Sequence, residues 1–170
     1  MNIELPGYEL IDKIGEGGMS VVYRARQNRL DRTVAIKFIT NELSSIPADR
    51  QRFTFETKTA AKISHPNIIQ IYDAGELNNN PYYVMEYVSG ATLGEFIQMR
   101  GKMEEADALH IATSVAEALQ YCWQEHRLIH CDIKPENLIL DLQGTPKLAD
   151  LGLSRIAGLM VASDNEGMTI

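Results

Sequence analysis

Cysteine, basic charge and long apolar runs are all scarce in these 170 residues. The two cysteines, Cys122 and Cys131, lie nine positions apart, with no Cys-x-x-Cys pair and no Cys/His cluster at metal spacing. That argues against a disulfide framework or a zinc module and predicts a reduced, cytoplasmic protein. No uninterrupted apolar run approaches the ~20 residues needed to cross a bilayer, and no signal-peptide h-region opens the chain. Basic residues are outnumbered: 16 Lys and Arg against 23 Asp and Glu give a net charge of −7. A general nucleic-acid binder is therefore not expected. Nothing repeats and nothing is low-complexity.

What is present is enough for a core, with 45% hydrophobic residues. The charge is uneven. Residues 1–85 carry ten basic and ten acidic side chains, and 86–170 carry six and thirteen, so the whole acidic excess sits in the second half. Patterning divides the chain in the same place. Tyr8–Ile14 and Val21–Ala25 read as strands around the Gly-rich "GEGGMS", a hairpin, and Thr33–Ile39 reads as a third strand rich in β-branched residues. Residues 48–63 read as a helix entered near Pro47, with Phe53, Ala60 and Ile63 on one face. Glu56 falls on that face. It needs either a buried cation as partner or a route to water at the edge of the stripe.

Two further strands, in "NIIQIYDAGEL" and "PYYVMEYV", flank Asn78–Asn80. After the break at Ser89-Gly90 the chain turns helical, near 92–99 and again near 104–126. Leu109, Ala112, Val115, Ala116, Leu119 and Trp123 are the expected apolar stripe of the long helix. Strands followed by helices predict an α+β chain with a β-rich lobe and then an α-rich one.

Several residues stand out chemically. A Gly-x-Gly between strands is more often a tight turn than a phosphate cradle. A strand also follows the glycines here, where a dinucleotide fold would have a helix. A strand–Gly loop–strand can instead lay backbone N–H groups on phosphate oxygens. Lys37, within a strand, is either solvated or a phosphate-neutralising cation held by Glu56. In "HCDIKPENLIL", residues 130–140, Asp132 can accept a proton, Lys134 can steady a phosphoryl group and Asn137 can offer a metal an oxygen. Asp150 ends the strand "KLA" beside Leu151-Gly152. Alone it is better explained by an Asx turn than by Mg²⁺.

Taken together and in this order, the Gly loop, "VAIK" (Val34–Lys37), Glu56, "HCDIKPEN" and "DLG" resemble the protein kinase family over essentially the whole chain. "HPNII" and "VMEYVSG" are similar to family sequence as well. "DIKPEN" resembles the serine/threonine branch, and "GEGGMSVVYRA" resembles bacterial kinases of the eukaryotic type. The resemblance implies an N-lobe over 1–84, a hinge over 85–90 and part of a C-lobe over 91–170. It implies ATP and Mg²⁺ as cofactors and a protein Ser/Thr hydroxyl as acceptor. Gly15, Glu16, Gly17, Gly18, Met19 and Ser20 would cover the phosphates, and Lys37, paired with Glu56, would hold two of them. Ile14, Val22, Ala35 and Ile139 would sandwich adenine, with Glu86 and Val88 at its edge and Met85 behind. Asp132 would be the catalytic base with Lys134 beside it, Asn137 and Asp150 would bind the metal, and His130 and Leu151 would pack.

Three positions depart from the family pattern. Ser20 replaces a glycine, Leu151 replaces a phenylalanine of similar bulk, and Cys131 stands where the family commonly has an arginine. That arginine receives a phosphorylated activation-loop residue, which a thiol cannot do. Activity is therefore expected not to depend strongly on that phosphorylation, and Cys131 itself is expected to be a small buried thiol. The resemblance also places Thr169 inside the activation segment, ahead of the substrate-binding helices. The chain is thus expected to be truncated and weak or inactive alone, with any membrane anchor beyond residue 170. An apolar face left open on the C-lobe would favour self-association. The alternative from another class is a nucleotide- or partner-binding module without turnover. Retention of Lys37, Glu56, Asp132, Asn137 and Asp150 speaks against it.

Overall fold

A computed structural model describes residues 4–17, 20–39 and 57–150, with the backbone of Arg155–Ile156. The chain forms two compact units, Met1–Lys62 with Gln70–Tyr87 and Ile63–Ile69 with Val88–Ile170.

The first unit is a five-stranded antiparallel sheet of β1 (Tyr8–Gly17), β2 (Ser20–Gln27), β3 (Arg32–Ile39), β4 (Ile71–Leu77) and β5 (Asn80–Glu86), in the order β1-β2-β3-β5-β4. The period-2 pattern of a strand decides what lies where. Val34, Ile36 and Phe38 of β3 point to one face and pack with Leu5, Ala25 and Val84, all buried. Tyr23 and Tyr82 flank Phe38, with ring centroids 6.0 and 5.6 Å away. The pairing runs unbroken along β2–β3 and β3–β5, whereas β1 carries register shifts at Ile11 and Ile14 and β4 one at Tyr72. Asn78 and Asn79 turn the β4–β5 hairpin with φ of 50° and 65°. Two left-handed residues in a row are what a tight hairpin needs, and asparagine tolerates them.

The expected helix over 48–63 lies largely outside the described residues, as do Pro47, Phe53 and Glu56. Residues 57–60 are helical, and Ala60 and Ile63 are buried.

The second unit is built on two helices, α1 (Leu93–Arg100) and α2 (Glu105–His126). Helix α1 opens on a capping box: the Glu95 N–H donates to Thr92 Oγ1 at 3.1 Å, and the Thr92 N–H donates to Glu95 Oε2 at 2.7 Å. It closes on Gly101 at φ 80°. Short strands complete the unit. β6 (Gly90–Thr92), β8 (Leu138–Asp141) and β9 (Pro146–Leu148) form one sheet in the order β6-β8-β9, and β7 (Leu128–Ile129) pairs with β10 (Arg155–Ile156). Gly90 is obligatory here, since a Cβ would sit 1.8 Å from the Leu140 carbonyl oxygen.

The face that α2 buries differs from the expected stripe. Ile111, Ser114, Val115, Ala118 and Cys122 are buried, and Ile111 and Val115 pack with Leu138 and Leu148. Of the expected stripe, Val115 is buried and Leu119 packs at its edge, while Leu109, Ala112, Ala116 and Trp123 are exposed. The helix is apolar over an arc wider than one stripe. Periodicity finds such an arc but not which edge docks. The exposed part borders an open groove of about 620 Å³ lined by Leu93, Ile97, Met103, Ala112, Ala116 and Ile133 among others.

Candidate active site

In the first unit the register gathers a set of expected nucleotide residues on the sheet face opposite the Phe38 core. Val22 pairs with Lys37, and Ala35 pairs with Met85. Partners across a ladder share a face, as do residues two apart along a strand, so Val22, Ala35, Lys37 and Met85 line one surface. Ala35 is buried and Lys37 half-buried in the central strand. Gly15 joins them by pairing with Val22; its Cβ position would be 3.6 Å from Val22 Cβ. Ile14 occupies the bulge just before it and is exposed. Gly17 and Ser20 pair at the hairpin's end, next to exposed Glu16. Gly18 and Met19, at the tip, lie outside the described residues, as does Glu56.

Glu86 ends β5 with its N–H given to the Gln70 carbonyl at 2.8 Å, so a ligand's backbone contact at Glu86 has to use its carbonyl. Val88 is half-buried and begins the second unit's main segment. Ile139 sits in β8 between Thr92 and Lys147.

In the second unit the loop from His130 to Asn137 is almost free of regular structure, and side chains fix it instead. Asp132 Oδ2 accepts from Lys134 Nζ at 2.8 Å and from Asn137 Nδ2 at 2.9 Å. Asn137 Nδ2 also donates to the Asp132 carbonyl at 2.8 Å. Both partners are acceptors, so the amide must turn its NH₂ towards them, and Asn137 Oδ1 is left for a cation. Asp132 Oδ1 accepts no hydrogen bond among the described residues. The carboxylate is thus held by one oxygen and open at the other.

The Lys134 hydrogen bond, aided by that of Asn137, holds the Asp132 carboxyl below the usual carboxylate value, and the same bond raises Lys134. His130 is 2% exposed. Its Nδ1 accepts the Asp132 N–H at 3.3 Å and its Nε2 lies 2.9 Å from the Ala149 carbonyl. Burial pushes its imidazole down and keeps it neutral. Expected only to pack, His130 also ties Asp132 to the residue before Asp150. One neutral ring can do both, as an acceptor at Nδ1 and a donor at Nε2.

Cys131 and Asp150 both adopt left-handed backbone, each at φ 66°. That conformation is uncommon outside glycine and is held here by neighbouring bonds. Contrary to expectation, Cys131 is exposed, with Sγ 3.5 Å from the Ile129 carbonyl. The left-handed turn throws its side chain outward, a geometry that composition statistics for cysteine do not contain. Cys122 is the buried thiol, pushed up to about 11 by its burial.

Among the described residues no three His, Cys, Asp or Glu side chains converge as a self-sufficient metal cage. The oxygen donors present, an amide at Asn137 and a carboxylate at Asp150, suit a hard cation that completes its shell with phosphate oxygens and water. Oxygen donors of these types are compatible with a divalent cation. Leu151 lies outside the described residues.

One feature carried little signal in the sequence. The turn His65-Pro66-Asn67 binds β9, the strand leading to Asp150: Asn67 Nδ2 donates to the Pro146 carbonyl at 2.8 Å. A His-Pro-Asn run announces a turn, and nothing local announces its partner.

The protein kinase domain pattern matches residues 8–167. The chain is 40% identical over 152 residues to the serine/threonine-protein kinase PknB of Mycobacterium leprae and 39% identical over 147 residues to PrkC of Bacillus subtilis. Those matches cover 87% and 86% of this chain and 24% and 22% of the relatives, so it spans about a quarter of their length. Among solved structures, the Mycobacterium tuberculosis PknI kinase domain superposes with a TM-score of 0.80 at 29% identity, over 89% of this chain and 60% of that one. On sequence pattern, relatives and fold alike, the chain belongs to the protein kinase family.

Proposed function

We propose that this chain provides the nucleotide-binding and catalytic-loop residues of a serine/threonine protein kinase that transfers the γ-phosphoryl group of MgATP to a protein hydroxyl. The observation that carries the reading is the Asp132 carboxylate, fixed through Oδ2 by Lys134 and Asn137 and open at Oδ1. A substrate hydroxyl can donate to that oxygen, which orients it for attack. Little covalent work is then left to the protein, because phosphoryl transfer rests mainly on positioning and charge stabilisation. Ionised at neutral pH, the lowered Asp132 carboxylate acts on the hydroxyl as an orienting hydrogen-bond acceptor more than as a strong base.

Lys37 neutralises phosphate charge from the first unit, paired with Glu56. Gly15, Gly17 and Ser20, with Glu16, Gly18 and Met19 of the same loop, cover the phosphates. Ile14, Val22, Ala35, Met85 and Ile139 give the adenine its apolar walls, and Glu86 and Val88 meet its edge. Asn137 and Asp150 hold Mg²⁺, which supplies charge neutralisation when bound. The serine/threonine choice is supported by the names of the relatives. The 1–84, 85–90 and 91–170 division is our working assignment of lobes and hinge. The cytoplasm, where ATP is abundant, is the compartment this activity needs, and no described helix is long and apolar enough to cross a membrane.

These 170 residues by themselves are expected to bind nucleotide and to turn over weakly or not at all, and to self-associate through the apolar groove beside α1 and α2. With Cys131 in place of the phosphate-receiving arginine, kinase activity is expected to survive phosphatase treatment. Thermal unfolding with and without MgATP, alongside Lys37→Met and Asp150→Asn, tests the core of the proposal. A transition raised by MgATP in the parent, and less in both variants, supports a formed nucleotide site through mass action. A transition indifferent to MgATP rejects it.

A further inference from the structure

We infer that Asn67 is a positioning residue for Asp150, acting through β9 from a turn 79 residues upstream of Pro146. The inference rests on the reading of Asp150 as a metal ligand. β9 has two edges, and every second residue addresses the same one. Lys147 faces β8 by pairing with Ile139. Pro146 and Leu148 turn their backbone groups the other way, and there they meet the 65–69 turn rather than another strand. The Leu148 N–H donates to the Asn67 carbonyl at 2.8 Å, and the Leu148 carbonyl accepts from the Ile69 N–H at 2.9 Å. The Pro146 carbonyl accepts from the Asn67 side chain at 2.8 Å.

The turn itself is pre-set. His65 Nδ1 accepts the Asn67 N–H at 3.1 Å, and the Ile68 N–H closes on the His65 carbonyl at 3.1 Å. Past β9, Ala149 is tied to the catalytic loop: its N–H donates to the Asn137 carbonyl at 2.8 Å, and its carbonyl lies 2.9 Å from His130 Nε2. Asp150 follows directly at φ 66°. A carboxylate on left-handed backbone stays aimed only while the chain before it cannot rotate. The catalytic loop secures that chain on one side and Asn67 on the other.

Asn67 ties the 65–69 turn to β9 by a direct side-chain bond to the Pro146 carbonyl. Pro146 and Leu148 are both buried. Removing the amide leaves a buried carbonyl unpaired, which the strand can relieve only by shifting. A shift there moves the residue that follows Ala149, whereas the adenine walls on the first unit's sheet are untouched. Hydrogen-bonding partners of a metal ligand typically tune affinity by about 10–100-fold when lost, and Asn67, which acts one step further back through β9, is assigned the low end of that range.

The test is a Mg²⁺ titration at fixed ATP, read by thermal stabilisation of this 170-residue chain, for the parent, Asn67→Ala, Asn67→Ser and Asp150→Asn. Asn67→Ala is expected to raise the Mg²⁺ midpoint about tenfold, with the shift given by ATP in EDTA unchanged. Asn67→Ser, with a shorter donor, should fall between, and it serves as the readout if Asn67→Ala does not melt cooperatively. A raised midpoint in Asp150→Asn with none in either Asn67 variant overturns the inference and leaves the site reading intact. An EDTA shift that falls in parallel with the Mg²⁺ response also overturns it, since that is general loosening. No change in Asp150→Asn, or no stabilisation of the parent by MgATP, removes the site reading and the inference with it.

Discussion

The two units of this chain hold their functional side chains by different means. In the first, Val22, Ala35, Lys37 and Met85 are placed by a ladder of backbone hydrogen bonds and by the core on the sheet's other face. Their backbone positions and the sheet face they share follow from register. In the second, Asp132 and Asn137 sit in a loop with only one 3-10 turn and are fixed by side chains bonding to backbone and to one another, while Asp150 follows a residue whose carbonyl meets the His130 ring. A ladder distributes the load over many equivalent bonds. A loop concentrates it in a few, so single substitutions there disturb geometry before they disturb stability.

That contrast can be pushed from both sides. The largest effect should come from Asp132→Asn, measured as phosphoryl transfer from MgATP to a protein substrate. A loss of about 10²–10⁴-fold is expected for a missing proton acceptor, with MgATP stabilisation retained. A loss of nucleotide binding instead would mean that the loop, like the sheet, works as a single block. Next is Ile36→Ala, which empties a fully buried site on β3 and should cost about 2–5 kcal/mol by denaturant unfolding. Fold and site should fall together in that case, as they should not in the loop.

Thr92→Ala removes the cap of α1 and should cost about 1 kcal/mol, read as a lowered midpoint with MgATP affinity unchanged. The smallest effect is in pH. His130 is depressed from its ordinary value of 6.5 by burial, so its contribution is complete above that value and is lost as pH falls through the native value. Asp132, depressed from 3.8, adds a second loss of the same sign lower down. The melting temperature should therefore begin to drop as pH passes below 6.5, and His130→Asn should blunt the upper part of that drop.

The sequence made the first unit readable because strands announce themselves by period. The hairpin around "GEGGMS" and the β-branched run at Thr33–Ile39 became β1, β2 and β3 with ends moved by a few residues. The residues of the catalytic loop were legible as types, but their bonds were not. Nothing in "HCDIKPEN" states that Asn137 turns its NH₂ to Asp132, which its acceptor partners decide, or that Cys131 turns outward, which rests on a left-handed φ that local composition does not fix. The docking edge of α2 was misjudged for a related reason. Its apolar arc offered two edges, and only the packing partners Leu138 and Leu148, which come from later in the chain, select one. Contacts of long sequence separation were least visible of all, Asn67 with Pro146 foremost.

The register shifts of the five-stranded sheet have a consequence for how the protein behaves in crowded solution. They fall on β1 and β4, which are its two outermost strands, and none falls on the pairings among β2, β3 and β5. An outer strand with an unbroken row of unpaired N–H and C=O groups is a template on which another chain can zip up. A bulge spoils that template by twisting the strand and breaking the row. Irregular margins thus leave the sheet poorly suited to seeding fibrils or end-to-end stacking.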